Sequence, residues 1–142
     1  MPSLRNLLVG GADGRSALLD FALLLLRAAA GASLALGHGL GKLPVSDQFV
    51  DGVAQMGFPA PAVFAWAAAL SEAVGGALLA IGLLTRPAAF FILCTMATAF
   101  FVVHGADPFQ QKEMAMLYGV VALTFLLAGA GRYSADALLR RR

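Results

Sequence analysis

The sequence predicts an all-α membrane protein: a bundle of four transmembrane helices with a short interfacial helix between the first and second spans. Three observations support this fold class. Hydrophobic residues make up 60% of the 142 residues and charged residues only 13%, whereas soluble domains average about half and a quarter. The mean hydropathy is +0.81. The charges stand mainly at the ends of four apolar segments, each close to the ~20 residues that cross a bilayer.

The chain is predicted to be a single membrane domain, 1–142, without room for a soluble one. Residues 1–17 form a weakly apolar, glycine-rich leader, and 131–142 form a basic tail. Pro61 and Pro87 open the second and third spans, because the first turn of a helix does not need the N–H that proline lacks. The spans are predicted at about 18–41, 61–84, 87–103 and 113–130.

A cleaved signal peptide is the alternative interpretation of the first span. Its apolar core would be interrupted by Arg27, and three further spans make the chain a membrane protein in either case. Between the first two spans, Phe49, Val53 and Met56 recur at spacings of four and three, which predicts an amphipathic helix at the interface. Ser46 or Asp47 is expected to cap its start.

The distribution of basic residues predicts that both termini are cytoplasmic, because cytoplasmic segments carry the excess of Lys and Arg. The opposite side, with the 42–60 and 104–113 loops, carries only Lys42 and Lys112. Seven basic residues lie on the side of the termini and of the 84–87 turn: Arg5, Arg15, Arg86, Arg132, Arg140, Arg141 and Arg142.

Two charged residues, Arg27 and Glu72, fall deep inside predicted spans. A lone charge there costs at least about 2.5 to 3.5 kcal/mol, so each needs a partner or water. Arg27 lies about fourteen residues from the outer end of its span and Glu72 about eleven from the outer start of its own. At about 1.5 Å per residue these depths differ by less than one turn, which predicts a pair across two antiparallel helices. The pair would either hold the helices together or belong to a polar pocket.

Further polar groups favour a pocket that opens outward. His38 lies three turns after Arg27 on the same face, His104 ends the third span, and Glu113 begins the fourth. Each has a simpler alternative, as an interfacial histidine or as an acid beside a helix N-terminus. Their convergence predicts a ligand-binding site formed by Arg27, His38, Glu72, His104 and Glu113.

Other classes of site are weakly supported. The two histidines and two glutamates could form a metal set, but they lack His-x-x-x-His or Glu-x-x-His spacing, and no metal site is predicted. Cys94, the single cysteine, lies in an apolar run and is expected to be a packing residue. The pI near 9.1 does not indicate nucleic acid, because the basic residues stand at span ends without interleaved aromatics.

Several segments carry a family resemblance over nearly the whole chain after the leader. Besides Arg27 and His104, they are HGLGK at 38–42, MGFPAP at 56–61, SEAVGGALLAIGLLTR at 71–86, KEMAMLYGVVAL at 112–123 and GAGRYSAD at 129–136. With these segments the chain resembles the DoxX family of small bacterial membrane proteins. It departs from the family pattern at Lys112, often Gly, and at Ala130, often Pro; neither position belongs to the predicted polar set.

The resemblance implies a four-helix bundle in the bacterial cytoplasmic (inner) membrane, associated with quinone-linked redox chemistry as a subunit or partner of an oxidoreductase. A quinone would be the bound molecule, with no covalent cofactor, and the expected partners are membrane lipid, a redox partner protein and further copies of the chain. A pocket with His or Arg donors and a Glu that exchanges protons suits the two carbonyl oxygens of a quinone. Because the sequence has no haem, flavin or iron–sulfur motif, electrons would come from the partner. The alternative is a non-enzymatic small-molecule carrier or a membrane scaffold that recruits partner proteins.

Overall fold

The computed structural model describes residues 17–140, and in this range all regular structure is helical. The predicted fold class is therefore confirmed. Four helices are long and apolar enough to cross a membrane, and a short helix follows the first of them. The helices are α1 (Ala17–Lys42), α2 (Asp47–Gln55), α3 (Pro61–Ile81), α4 (Thr85–Val103), α5 (Phe109–Ala128) and α6 (Ala135–Arg140). The predicted leader up to residue 16 and the last two residues of the basic tail lie outside the described residues.

The four long helices form an up-and-down ring in which each packs against the next and α5 returns to α1. The core includes Leu34, Leu79, Ile92 and Phe125, with small residues between them. The bundle has two ends. The loop end contains residues 43–60 and 104–108, and the turn end contains residues 82–84 and 129–140.

Helices α1 and α3 touch backbone to backbone through glycines. A Cβ atom at Gly31 would lie 2.6 Å from both Ala80 N and Gly76 O. A Cβ atom at Gly39 would lie 2.3 Å from Ala73 N. Small residues are the usual means of such close approach between transmembrane helices. These contacts fix the register of the two helices, and the register decides which polar side chains can meet.

Three of the long helices contain a π-helical turn: Ala35–Gly39 in α1, Ser71–Gly75 in α3 and Ala99–Val103 in α4. The first two pack against each other. A π turn inserts an extra residue per turn, so it changes the direction of the side chains that follow, and such turns are frequent at functional sites. The loop-end half of the α1–α3 contact is therefore irregular where the polar residues concentrate.

The helix ends differ in detail from the predicted spans. Ser46, rather than Asp47, caps α2, because its Oγ accepts the N–H of Phe49 at 3.2 Å. Helix α3 ends at Ile81, since Gly82 and Leu84 take positive φ values of 72° and 47° in the turn that follows. Helix α5 begins at Phe109, one turn before the predicted start of the fourth span at residue 113.

Candidate functional site

Arg27 lies at the turn end and connects three parts of the chain. Its side chain is 1% exposed. The guanidinium donates hydrogen bonds to the backbone oxygens of Ala80, in the last turn of α3, and of Tyr133, after α5. A Cβ atom at Gly82 would lie 2.9 Å from Arg27 Cζ, so a glycine there leaves room for the guanidinium. Backbone carbonyls at a helix end otherwise lack partners, and Arg27 satisfies one of them.

The predicted pair of Arg27 with Glu72 is wrong. The prediction placed the outer ends of the first two spans at the same depth. In the structure Gly39, near the end of α1, faces Ala73, so the first turns of α3 extend beyond α1. Glu72 therefore lies beside the loop end of α1, while Arg27 lies beside the opposite end of α3.

Glu72 is bound by Lys42 instead. The Lys42 Nζ lies 2.6 Å from both carboxylate oxygens. The Glu72 side chain is 4% exposed and that of Lys42 35% exposed, so the protein covers the carboxylate but leaves part of the cation uncovered. The Lys42 Nζ also lies 5.8 Å from the ring centroid of Phe49, which places α2 against the pair. The pair therefore consists of a buried carboxylate and a partly exposed cation.

His38 contacts the other neighbour of α1. Its ring meets that of Tyr118, on α5, edge to face with centroids 5.6 Å apart, and the histidine is exposed. His38 and Lys42 are four residues apart in the last turns of α1, so the His38–Tyr118 contact and the Lys42–Glu72 pair lie at the same end of the bundle. We call these four residues the loop-end polar cluster. Sequence reasoning missed Tyr118, and it counted Lys42 for topology alone, although HGLGK joins Lys42 to His38.

The remaining predicted residues lie around the loop that follows α4. His104 Nδ1 lies 2.8 Å from Asp107 Oδ2. Lys112 donates to the backbone oxygen of Gly105 at 3.1 Å, and Glu113 is exposed on α5. In the described range no three His, Cys, Asp or Glu side chains are grouped in a way that could hold a metal ion. A ligand-binding role for the five predicted residues stays a prediction, and Arg27 lies at the other end of the bundle from the cluster.

The turn end holds a second polar network, which sequence reasoning missed. Asp136 is buried, and its two oxygens accept the N–H groups of Leu84 at 2.8 Å and Thr85 at 3.0 Å. A carboxylate at this position caps the start of α4 and complements its positive end. Asp20, buried on α1, accepts the N–H of Arg132 at 3.0 Å. Through these hydrogen bonds the GAGRYSAD segment is held against α1, the end of α3 and the start of α4.

The fold and these two networks define a multi-pass α-helical membrane protein in which several ionisable groups, among them Arg27, Lys42, Glu72 and Asp136, hold helices and connecting segments together. The family model described as DoxX matches residues 22–105, more than half of the chain, so the protein belongs to the DoxX family and the resemblance is confirmed. Arg27, His38, Glu72 and His104 lie within the matched range, and Glu113 and Tyr118 lie beyond it.

An uncharacterized protein of Haemophilus influenzae is 40% identical to the chain over 76 residues. The match covers 49% of this chain and 57% of that protein, so the chain spans little more than half the length of the curated relative it matches. No solved structure matches the chain.

Proposed function

We propose that this DoxX-family protein is a membrane subunit or partner in quinone-linked redox chemistry, and that the loop-end polar cluster binds the quinone head group. The observation that carries the proposal is Glu72, whose side chain is 4% exposed and is bound by the partly exposed Lys42. A buried ion pair is weak evidence for stability, because desolvation offsets much of its attraction. A charged pair whose carboxylate lies in the π turn Ser71–Gly75 is better explained by a function.

The chemistry of the cluster suits a quinone. Reduction of a quinone to a quinol takes two electrons and two protons at two oxygen atoms. Lys42, His38 and Tyr118 can donate hydrogen bonds to such oxygens, and Glu72 can accept or release a proton. Leu36 and Leu40 flank His38 and are exposed, so an apolar tail has a surface beside the head group. Electrons would come from a partner protein.

We further propose a location in the bacterial cytoplasmic membrane with both termini cytoplasmic. The support is the seven-to-two distribution of basic residues in the sequence. The loop-end polar cluster would then open on the extracytoplasmic side, away from the side where cytoplasmic electron donors bind. A redox partner would in this case be a membrane or extracytoplasmic protein.

The test is binding of a short-chain quinone analogue to the purified full-length protein in detergent. We expect His38→Ala and Glu72→Gln to weaken binding at least about tenfold, which corresponds to ~1.4 kcal/mol. His38→Ala should change the free energy of unfolding by less than about 1 kcal/mol, because the side chain is exposed. His104→Ala and Glu113→Gln test the wider predicted set in the same assay.

Lys112→Met is the matched control, because Lys112 is a loop-end lysine whose Nζ bonds a backbone oxygen outside the cluster. Its analogue affinity should stay within about twofold of the unchanged protein. The proposal fails if lipid extracts of the purified protein contain no quinone and the analogue does not bind. A carrier or scaffold that recruits partner proteins would then be the better account of the cluster.

A further inference from the structure

A shallow cavity opens at the turn end, outside the loop-end polar cluster. Its volume is about 460 Å³, and its lining residues are Ile81, Arg132, Tyr133, Ser134, Ala135 and Leu138. Ile81 and Leu138 are apolar and are 56% and 65% exposed, whereas Arg132 supplies a positive charge. The cavity therefore combines an exposed apolar wall with one cation.

The guanidinium of Arg132 is available to an external anion. The backbone N–H of this residue donates to Asp20, and within residues 17–140 the guanidinium has no hydrogen bond or ion pair, only a ring contact with Tyr133, whose centroid lies 6.0 Å from Arg132 Cζ. The two carboxylates of this end, Asp20 and Asp136, are buried and accept backbone N–H groups. Neither forms an ion pair with Arg132.

The position of the cavity narrows the choice of anion. Ile81 is the last residue of α3, and Arg132 follows shortly after the end of α5, so the cavity lies at the ends of two helices that are long and apolar enough to cross a membrane. Tyrosine and arginine side chains commonly sit at this level, beside the phosphates and the first carbons of the acyl chains. A phospholipid offers the phosphate and the apolar chain together, in the same arrangement as Arg132 and the Ile81–Leu138 wall.

We propose that this cavity binds an anionic phospholipid, with the phosphate at the Arg132 guanidinium and an acyl chain against Ile81 and Leu138. Guanidinium groups bind phosphate oxygens through paired, charge-assisted hydrogen bonds. A lipid with a net negative charge is favoured, because a zwitterionic headgroup brings its own cation to compete with Arg132. This site is separate from the proposed quinone site and does not depend on it.

The experiment uses the full-length protein in micelles, with native mass spectrometry to count bound phosphatidylglycerol or phosphatidylcholine. We expect phosphatidylglycerol to bind more tightly than phosphatidylcholine, and Arg132→Gln to weaken it about tenfold. The affinity of Arg132→Lys for phosphatidylglycerol should lie between those of the unchanged protein and Arg132→Gln, because lysine keeps the charge but loses the paired geometry. Arg132→Gln leaves the backbone N–H that bonds Asp20, and its melting temperature in phosphatidylcholine reports whether the fold is intact.

Arg140→Gln is the matched control, because it removes the same charge from the same end of the bundle but outside the cavity. Its affinity for phosphatidylglycerol should stay within about twofold. Equal losses in Arg132→Gln and Arg140→Gln would show non-specific attraction of charge and overturn the site. Equal affinity for the two lipids would overturn the selectivity, and displacement of phosphatidylglycerol by an equal concentration of inorganic phosphate would overturn the assignment to a lipid.

Discussion

The ion pair between Lys42 and Glu72 can be tested by a double-mutant cycle of Lys42→Met and Glu72→Leu. Removing one partner of a fully buried pair costs about 3 to 5 kcal/mol, because the other charge is left unpaired in an apolar site. The Lys42 side chain is 35% exposed, so the pair is not fully buried and we expect a smaller cost. We therefore expect Lys42→Met to lower the free energy of unfolding by about 2 to 3 kcal/mol.

Substitution of the other partner, Glu72, should lower the free energy of unfolding less. Glu72→Leu removes the buried charge itself, and the remaining lysine can turn to water, so we expect a cost of about 1 kcal/mol or less. The double mutant should then resemble Glu72→Leu alone. The coupling energy then equals the cost of Lys42→Met, about 2 to 3 kcal/mol, at the upper end of the range of about 0.5 to 3 kcal/mol for groups in contact.

The assay is unfolding in mixed micelles with increasing SDS, followed by far-ultraviolet circular dichroism. Lys112→Met combined with Glu72→Leu is the control cycle, and its two effects should add within about 0.5 kcal/mol. The cycle of Arg27→Met with Glu72→Leu should also be additive, because Arg27 bonds backbone oxygens at the other end of α3. Additive effects for Lys42 and Glu72, or coupling of Glu72 to Arg27, would refute the helix register described above.

Three further outcomes are expected. Asp136→Ala should lower the free energy of unfolding by about 2 to 3 kcal/mol in the same SDS titration, because the N–H of Leu84 and the buried N–H of Thr85 lose a charged acceptor. Substitution of the exposed Asp51 by Ala should lower it by less than about 0.5 kcal/mol, and equal losses would contradict the cap. Gly39→Ala should lower the free energy of unfolding by about 1 to 3 kcal/mol, because the added Cβ forces α1 away from α3. Gly37→Ala should leave it nearly unchanged, because the space at that Cβ is open. Equal melting temperatures of the two variants would refute the backbone contact. Reporter fusions after the last residue should report a cytoplasmic position and fusions in the 106–111 loop an extracytoplasmic one, and the opposite pattern would reverse the proposed topology.

The fold could be predicted from the sequence because it depends on quantities that are local in the chain. Apolar length defines a transmembrane helix, and a Ser before an amphipathic stretch defines a helix start, as at Ser46. The positions of the helix ends were predicted less accurately. Leu84 adopts a left-handed conformation that is unusual for leucine, and its amide is held by Asp136, which lies 52 residues later.

The pairing of charged residues could not be predicted in the same way, because it depends on the register between helices. Depths counted from predicted span ends assume that neighbouring helices end at the same level. The contacts of Gly31 and Gly39 with α3 set a different register, and they bring Lys42 rather than Arg27 to Glu72. The π turns shift side-chain directions further, and spacing alone contains no signal for them.

The hydrogen bonds of Arg27 also bear on how the protein is made. Arg27 belongs to α1, the most N-terminal of the four described transmembrane helices, but its two backbone acceptors are 53 and 106 residues further along the chain. A charge inside an apolar segment is costly until it finds partners. Helix α1 is therefore synthesised before either acceptor of its guanidinium, and the second acceptor arrives only with Tyr133, after α5 has been synthesised. Until the GAGRYSAD segment folds back onto the helices, the nascent bundle would lack this contact and stay accessible to membrane chaperones and proteases.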